Sequence, residues 1–493
     1  MAYYLLTGAS GLLGSYLLRD CLLAGRRMAV LVRPTETQSA RERVEATLAH
    51  WEAPYGRASK SPQLPRPVVL EGDLSRPDMN LTASDLRWIT NHCQAVIHSA
   101  ASLAFFGPDR RKEPWLTNVE GTRCLLELCR RCGIQQFHHV STAYVCGLRR
   151  GRILETELDV GQETGNDYER SKLEAEKLVR SASLAQPPTI YRPSIMIGDS
   201  RTGYTSTFHG FYAAVKLAHT LAGQMARGSI TAELLMQAFH IDGNERKDFV
   251  PVDWVSAVIS HLVGRPEHHG KTYHLTAGEP TPVAAWGPAI QHAIERYSPL
   301  GDPSDRGLRD ATWFEQMFRR QVQVYQAYWR DDPKFDRTHT VAAAHLPCPT
   351  ADHDMLVQMA KFAIQTNFGK GRRPSRPCGW DVRAHLQRLR AASDIGETTG
   401  SRWIHMGLQV SGPGGGQWKL LARDGRVIAA EDGIGERCGV VFNLTSETLE
   451  RLVARQTSVS QAVSQGWVSI AGNGARSAVL EALLQTAVTP GDA

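Results

Sequence analysis

Tyr168-Glu169-Arg170-Ser171-Lys172 sets a phenol and an ammonium four residues apart, on one face if the segment is helical. An ammonium next to a phenol lowers the phenol's pKa, so Tyr168 is expected to act as an acid or base near neutral pH with Lys172 as its activator. Thr142 lies upstream at the predicted tip of an apolar strand, where its hydroxyl can hold a substrate oxygen. Tyr-x-x-x-Lys also arises by chance, and its weight here comes from a second constellation. Thr7-Gly8-Ala9-Ser10-Gly11-Leu12-Leu13-Gly14 follows a short apolar run, residues 3–6, and leads into an apolar helical pattern that stops at Gly25. Strand, glycine turn and helix in that order make a phosphate site. Gly8 permits the tight turn, Gly11 lets the backbone approach a pyrophosphate, and Gly14 lets the helix pack close to the strand. The helix N-terminus offers free N–H groups and a positive dipole end to the anion.

The elements that must position these groups recur in alternation. A second strand, Met28–Val32, ends in Arg33. In NAD-preferring sites an acid usually stands there to hold the ribose hydroxyls; a cation suits the extra phosphate of NADP. Arg43, in a predicted helix start over 40–44, adds a second charge. A third strand, 67–71, runs into Gly72-Asp73-Leu74, where the Asp73 carboxylate can accept from an adenine amino group or simply close a turn. A fourth, 94–98, runs into Ser99-Ala100-Ala101, small residues that let a cofactor lie across the strand tip. A helix is expected over 118–128, and a fifth strand, 136–140, leads into Ser141-Thr142-Ala143-Tyr144. This alternation predicts an α/β fold with a doubly wound parallel sheet of the Rossmann kind. Its ligand should lie outside the carboxyl ends of the strands, where the glycine turn, Asp73, Ser99 and Thr142 would share one edge.

These residues resemble the extended short-chain dehydrogenase/reductase superfamily, and within it the fatty acyl-CoA reductase and carboxylic acid (thioester) reductase branch. The resemblance is carried by residues 7–14, 31–33, 72–74, 98–101, 140–144 and 168–172, by the stretch 191–203 beside a nicotinamide site, and by Val250-Pro251-Val252-Asp253-Trp254-Val255, and it covers roughly residues 1–280. It implies a catalytic set of Thr142 (rather than Ser141), Tyr168 and Lys172. It implies an NADP site in which Gly8, Gly11 and Gly14 form the pyrophosphate turn, flanked by Thr7, Leu12, Leu74, Ser99, Ala100 and Ala101. Arg33 and Arg43 would contact the 2′-phosphate and Asp73 the adenine. Pro193 and Ser194 would meet the carboxamide, and Lys172 would also hold the nicotinamide ribose.

Beyond the nucleotide-binding pattern, the segment from about 200 to 247 contains Phe208-His209-Gly210-Phe211-Tyr212 and an apolar helix through Val215, Leu217, Ala218 and Leu221. It is expected to join residues 281–368 in a helical substrate cap. Trp313, Phe314, Phe318, Tyr325, Tyr328, Trp329 and Phe335 either wall an acyl tunnel or fill an ordinary core, and His209 reads as structural. Residues 369–400 read as a basic linker. Residues 401–493 predict a hairpin (418–422 with 427–430), a helix after Thr445, a strand over 467–470 and a last helix through Val479, Leu480, Leu483 and Leu484. This order of elements, with Gly466-Trp467-Val468-Ser469-Ile470-Ala471-Gly472, resembles a sterol-carrier-protein domain, which implies an apolar ligand; a plain packing or dimerisation domain is the other reading.

The composition is that of a globular protein, and 493 residues predict about three domains. A net charge of +6 suits anionic ligands such as NADP, coenzyme A or an acidic carrier protein and is too diffuse to argue for nucleic acid. No apolar run has the length of about 18 residues that a transmembrane helix needs. With a strand predicted at the N-terminus no signal peptide is expected, and nine cysteines without framework spacing suit a reducing cytoplasm. Cys124, Cys129 and Cys132 fall on one predicted helix and read as thiols rather than a metal or redox centre. The expected activity is NADPH-dependent reduction of a lipid-like acyl thioester, on coenzyme A or a carrier protein, to an aldehyde, from which a second hydride could give the alcohol; two- and four-electron reduction both stay open. Two alternatives stay open: a dehydrogenase or ketoreductase of sterol-like alcohols and ketones, which would use the same catalytic set, and a lipid carrier with a vestigial reductase.

Overall fold

The computed structural model describes residues 2–36, 38–52, 64–222, 243–298 and 331–369, and further on residues 386, 404–411, 416–423, 426–433, 438, 440–464 and 468–472. The aromatic positions from Trp313 to Trp329, the basic run from Lys370 and the last predicted helix lie outside the described residues. The chain divides into two units, Met1–Lys370 and Gly371–Ala493.

In the first unit, continuous apolar runs become strands buried on both faces, the environment of a parallel sheet. Strands β1 (Tyr3–Thr7), β2 (Met28–Val32), β3 (Val68–Glu71), β4 (Cys93–His98), β5 (Gln136–Val140), β6 (Thr189–Pro193) and β7 (Thr272–Leu275) lie in the order β7-β6-β5-β4-β1-β2-β3. Every neighbouring pair is parallel. The strand order reverses between β1 and β4, and a crevice opens there above the carboxyl ends. Thr7 stands in register with both Leu31 and His98, so the ends of β1, β2 and β4 are level at that crevice.

Helices cover both faces: α1 (Leu12–Leu23) and α2 (Ala40–Glu52) on one, α3 (Ala83–His92), α4 (Gly121–Cys132) and α5 (Asp167–Ser181) on the other. On the first, α1 packs against a helix, Val252–Val263, that follows Pro251: Tyr16, Leu17 and Cys21 share a core with Val255, Val258 and Ile259. On the second, α4 and α5 bury Leu125, Leu128 and Val179 against Leu5 and Val96. Each such side chain contributes about 1.5–3 kcal/mol relative to exposure. A separate helical layer joins the segments 211–222, 286–297 and 353–365, with Phe211 and Val215 packed among Trp286, Ile290, Leu356 and Met359. The expected helix over 118–128 differs at its start. Residues Leu116–Glu120 form a π-helical turn before α4, and this wider turn carries the Asn118 side chain that braces the site described below. Cys129 is buried in α4, and burial pushes its thiol well above the usual range.

The second unit holds a five-stranded sheet. Strands β8 (Ile404–Ser411), β9 (Gly416–Arg423), β10 (Arg426–Asp432), β11 (Val440–Thr445) and β12 (Val468–Gly472) run in the order β10-β9-β8-β11-β12. Among the described residues of this sheet, only the β8–β11 pairing is parallel. The β9–β10 hairpin and a helix over Ser446–Val453 stand where the sequence places them. Met406, Leu408, Trp418 and Phe442 share a core with Leu449, Leu452, Val459 and Ala462.

Candidate active site

The glycine turn is set by contact distances. Gly8 has φ +77°, and a Cβ there would lie 2.7 Å from the Ala100 nitrogen; a Cβ on Gly14 would lie 1.9 Å from the Gly8 carbonyl oxygen. No side chain fits at either place, so the glycine turn lies against the loop after β4 on one side and against α1 on the other as closely as backbone allows. Gly11 N donates to Gly8 O at 2.9 Å and closes the turn. Below it runs a buried chain. Ala100 N–H donates to Thr7 Oγ1 (3.3 Å), and Thr7 Oγ1 meets His98 Nδ1 (2.8 Å). His98 Nε2 meets Thr122 Oγ1 (3.0 Å), whose own hydrogen goes to Asn118 O (2.6 Å). The direction of this chain fixes the proton of His98 on Nε2, and burial, then Lys172, holds its pKa down at about 3, so it is a neutral strut.

A cavity of about 410 Å³ starts at this turn and runs past Ser10, Arg33, Arg43, Asp73, Leu74, Ser99, Ala100 and Ala101. Arg43 Nη1 donates to Arg33 O at 2.5 Å and Nη2 to Ser10 Oγ at 2.8 Å. Burial, then the Arg33 charge, lowers the Arg43 pKa: two guanidiniums converge where an anion would relieve them. Asp73 faces the same cavity while its Oδ1 accepts from Ser75 N and Oγ, at 2.9 and 2.8 Å, so it also closes the turn. A backbone cradle without side chains beside paired cations fits a dinucleotide.

A second cavity, about 380 Å³, shares Gly8, Gly11, Ser99 and Ala101 with the first and holds Thr142, Tyr168 and Lys172. Leu12, Gly14 and Ser194 also line it. Thr142 ends the loop from β5 as the N-cap of a short turn, accepting from Tyr144 N at 3.3 Å. Tyr168 sits in the first turn of α5, which Asn166 caps through Glu169 N (2.9 Å), and its hydroxyl bonds to Thr142. Lys172, one turn on, donates from Nζ to Val140 O at 2.7 Å. The other walls are largely apolar, with Leu103, Phe105, Ile195 and Met196, and His209 joins them with its pKa lowered by burial.

One expectation is corrected. The Tyr168 phenol is raised well above its usual pKa, first by burial and then by Glu169, against a smaller opposite effect of the Thr142 hydrogen bond. Burial also brings Lys172 down to about 8, with Glu176 opposing. Desolvation outweighs the mutual effect that the spacing alone suggests. The choice between adjacent hydroxyls follows from partners. Ser141 Oγ donates to the buried carboxylate of Glu176 (2.7 Å), itself ion-paired to Arg192 (2.7 Å), which leaves Thr142 to face the cavity contents. Ser194 lines the cavity with its hydroxyl donated to Asp248 (2.6 Å), whereas Pro193 stands behind, its carbonyl 3.5 Å from Thr142 Oγ1.

Periodicity did not single out Asn118. Its Nδ2 donates to Ser102 O (3.1 Å) and Ser171 Oγ (2.9 Å), and its Oδ1 accepts from Ser102 N (2.8 Å). Ser171 in turn donates to Tyr168 O (2.7 Å), so Asn118 ties the loop after β4 to the turn carrying the phenol. The one trace in the sequence is an Asn just ahead of Gly121-Thr122.

A doubly wound sheet with a glycine phosphate turn at its switch point, and a Tyr–Lys pair beside it, defines a nicotinamide-dependent oxidoreductase of the extended short-chain dehydrogenase/reductase class. The chain belongs to the NAD_binding_4 family, described as Male sterility protein, which matches residues 6–259, just over half of its length. It is 27% identical over 400 residues to the aldehyde reductase lnaA of Aspergillus flavus, covering 72% of this chain and 35% of that protein. It is 25% identical over 287 residues to the nonribosomal peptide synthetase asaC of the same fungus, covering 56% of this chain and 26% of that one. The chain thus spans about a quarter to a third of the length of these relatives. Among solved structures, the terminal R domain from the myxalamid PKS-NRPS biosynthetic pathway is 26% identical with a TM-score of 0.58, covering 76% of this chain and 93% of that one. Among the described residues no helix is long and apolar enough to cross a membrane.

Proposed function

We propose that this protein is an NADPH-dependent reductase of lipid-like acyl thioesters carried on coenzyme A or on a carrier protein. The observation that carries the reading is the meeting of Thr142, Tyr168 and Lys172 in a largely apolar cavity that shares its glycine floor with the Arg33–Arg43 cleft. Similarity to a terminal R domain and to a nonribosomal peptide synthetase favours a thioester over a sugar or small alcohol. Arg33 and Arg43 favour the 2′-phosphate of NADPH.

The nicotinamide, when bound, supplies the hydride to the thioester carbon. The hydroxyls of Thr142 and Tyr168 hold the carbonyl oxygen and stabilise the charge that develops on it. A phenol with a raised pKa stays protonated at neutral pH, so Tyr168 serves as the acid that reduction needs and gives its proton to that oxygen. Lys172 holds the ribose and supplies positive charge to the cavity, while the neighbouring His98 and His139 are kept neutral by burial and by that charge. The hemithioacetal then collapses: the C–S bond breaks, its electron pair and the hydroxyl proton leave with sulfur as the thiol, and an aldehyde remains. A second hydride would give the alcohol. The C-terminal unit is read as a sterol-carrier-like domain that holds the acyl chain, testable by displacement of a fluorescent fatty acid from the full-length protein.

The test is incubation with NADPH and a long-chain acyl-CoA, then with the acyl group on a carrier protein. Thiol release matching NADPH loss supports the reading. NADPH consumed with a lipophilic ketone but with neither thioester would replace it with the dehydrogenase reading. Tight NADPH binding without turnover on any of them would leave the lipid-carrier reading.

A further inference from the structure

Tyr144 is two residues beyond Thr142 and lines the same cavity. Its backbone N–H is a donor to Thr142 Oγ1, so the place of Tyr144 decides where that oxygen sits and leaves the Thr142 hydrogen for other acceptors. Pro193 O, at 3.5 Å, is too far to hold that hydrogen firmly, which leaves it to the Tyr168 hydroxyl and to a substrate oxygen. The other end of Tyr144 is anchored far away in sequence: its hydroxyl donates to Asp332 Oδ2 at 2.8 Å, and its ring meets Phe335 edge-on at 6.0 Å.

Asp332 is itself braced. Its Oδ1 accepts from Lys247 Nζ at 3.0 Å in an ion pair whose side chains are 1% and 4% exposed, and its Oδ2 also accepts from Asp248 N at 2.9 Å. The backbone around it is stitched on two sides. Asp332 N donates to Arg246 O, Arg246 N donates to Asp331 Oδ1, and Lys334–Phe335 pairs with Arg152–Ile153. A buried, ion-paired carboxylate accepting from a phenol makes a short, directional, charge-assisted bond. It holds Tyr144 from below while the Tyr144 amide holds Thr142 from above.

We propose that Asp332 and Tyr144 are positioning residues that hold the Thr142 hydroxyl at the reacting carbonyl, so that the segment 331–336 is part of the catalytic assembly without touching substrate. The assignment rests on the proposed role of Thr142. The decisive set is Tyr144→Phe, Thr142→Val and the double variant, measured for kcat, KM and melting temperature. A crystal structure of cofactor-free Tyr144→Phe and calorimetric binding of a non-reducible thioether analogue complete it. Tyr144→Phe is expected to lower kcat about tenfold, with KM and analogue affinity nearly unchanged, and to shift Thr142 Oγ1. In the Thr142→Val background the same change should cost almost nothing, because the residue through which it acts is gone. Equal losses in both backgrounds, or an unmoved Thr142 in the crystal, would overturn the proposal. Should Tyr144→Phe fold poorly, Asp332→Asn in both backgrounds reads out the same coupling. Full activity of Thr142→Val alone would instead sink the oxyanion role that the proposed function gives it, a result separable from loss of coupling.

Discussion

The two cavities share a glycine floor but use polarity in opposite ways. On the adenosine side, Arg33 is exposed and Arg43 half-buried, and their charges face an open cleft where water and salt compete for any ligand. On the catalytic side Thr142 and Lys172 are buried, and burial displaces the pKa of Tyr168, Lys172, His98 and His139. In the proposed reading the first region binds the cofactor and chooses between NADPH and NADH. The second is built to place a few hydroxyls and one cation where little water can screen them.

If that division holds, mutations should separate binding from turnover. The largest effect is expected from Tyr168→Phe, which removes the proton donor: kcat should fall about 10²–10⁴-fold with NADPH affinity retained in a fluorescence titration. Loss of both activity and binding would break the contrast. Next, Arg33→Ala and Arg43→Ala should each weaken NADPH by about 10–100-fold, from about 1.5–3 kcal/mol per charge-assisted contact, with NADH unaffected and the salt dependence of binding reduced. The pH profile sharpens the other side. Lys172 must be charged to act, and burial lowers it from its usual range to about 8. The ammonium is therefore present below that pH and lost above it, so log kcat/KM should be flat near neutrality and fall with pH through about 8. The smallest effect belongs to Ser141→Ala, which removes one of the donors on Glu176: about 1 kcal/mol of stability by chemical denaturation, with kcat unchanged.

Much of this was legible in the residues because the signals are local. Buried parallel strands are apolar runs, and each of the five predicted strands lies within a residue of its place at each end. A glycine turn between strand and helix has few other uses. What escaped is what folding brings from afar or what depends on burial. Asn118 is hidden by a π turn, whose spacing no helical template scores. The link from Tyr144 to Asp332 spans the chain and becomes visible only when the segment 331–336 is laid beside 152–153. The direction of the Tyr168 shift does not follow from Tyr-x-x-x-Lys, which displays a phenol and an ammonium but not the dehydration around them. The basic run after Gly369 and the aromatic positions 313–329 fall outside the described residues, so their part in a cap or linker stands as an expectation.

The clash between a Gly14 methyl and the Gly8 carbonyl has a consequence for genetics. In a library of single substitutions sorted only for protein abundance, Gly8 and Gly14 should tolerate almost nothing, because their defect is steric and arises before any ligand is involved. Tyr168 and Arg33 should pass that sort and fail only when cells are selected for product. Running both selections on one library would partition this stretch of sequence into residues the fold requires and residues the chemistry requires, without a purified enzyme.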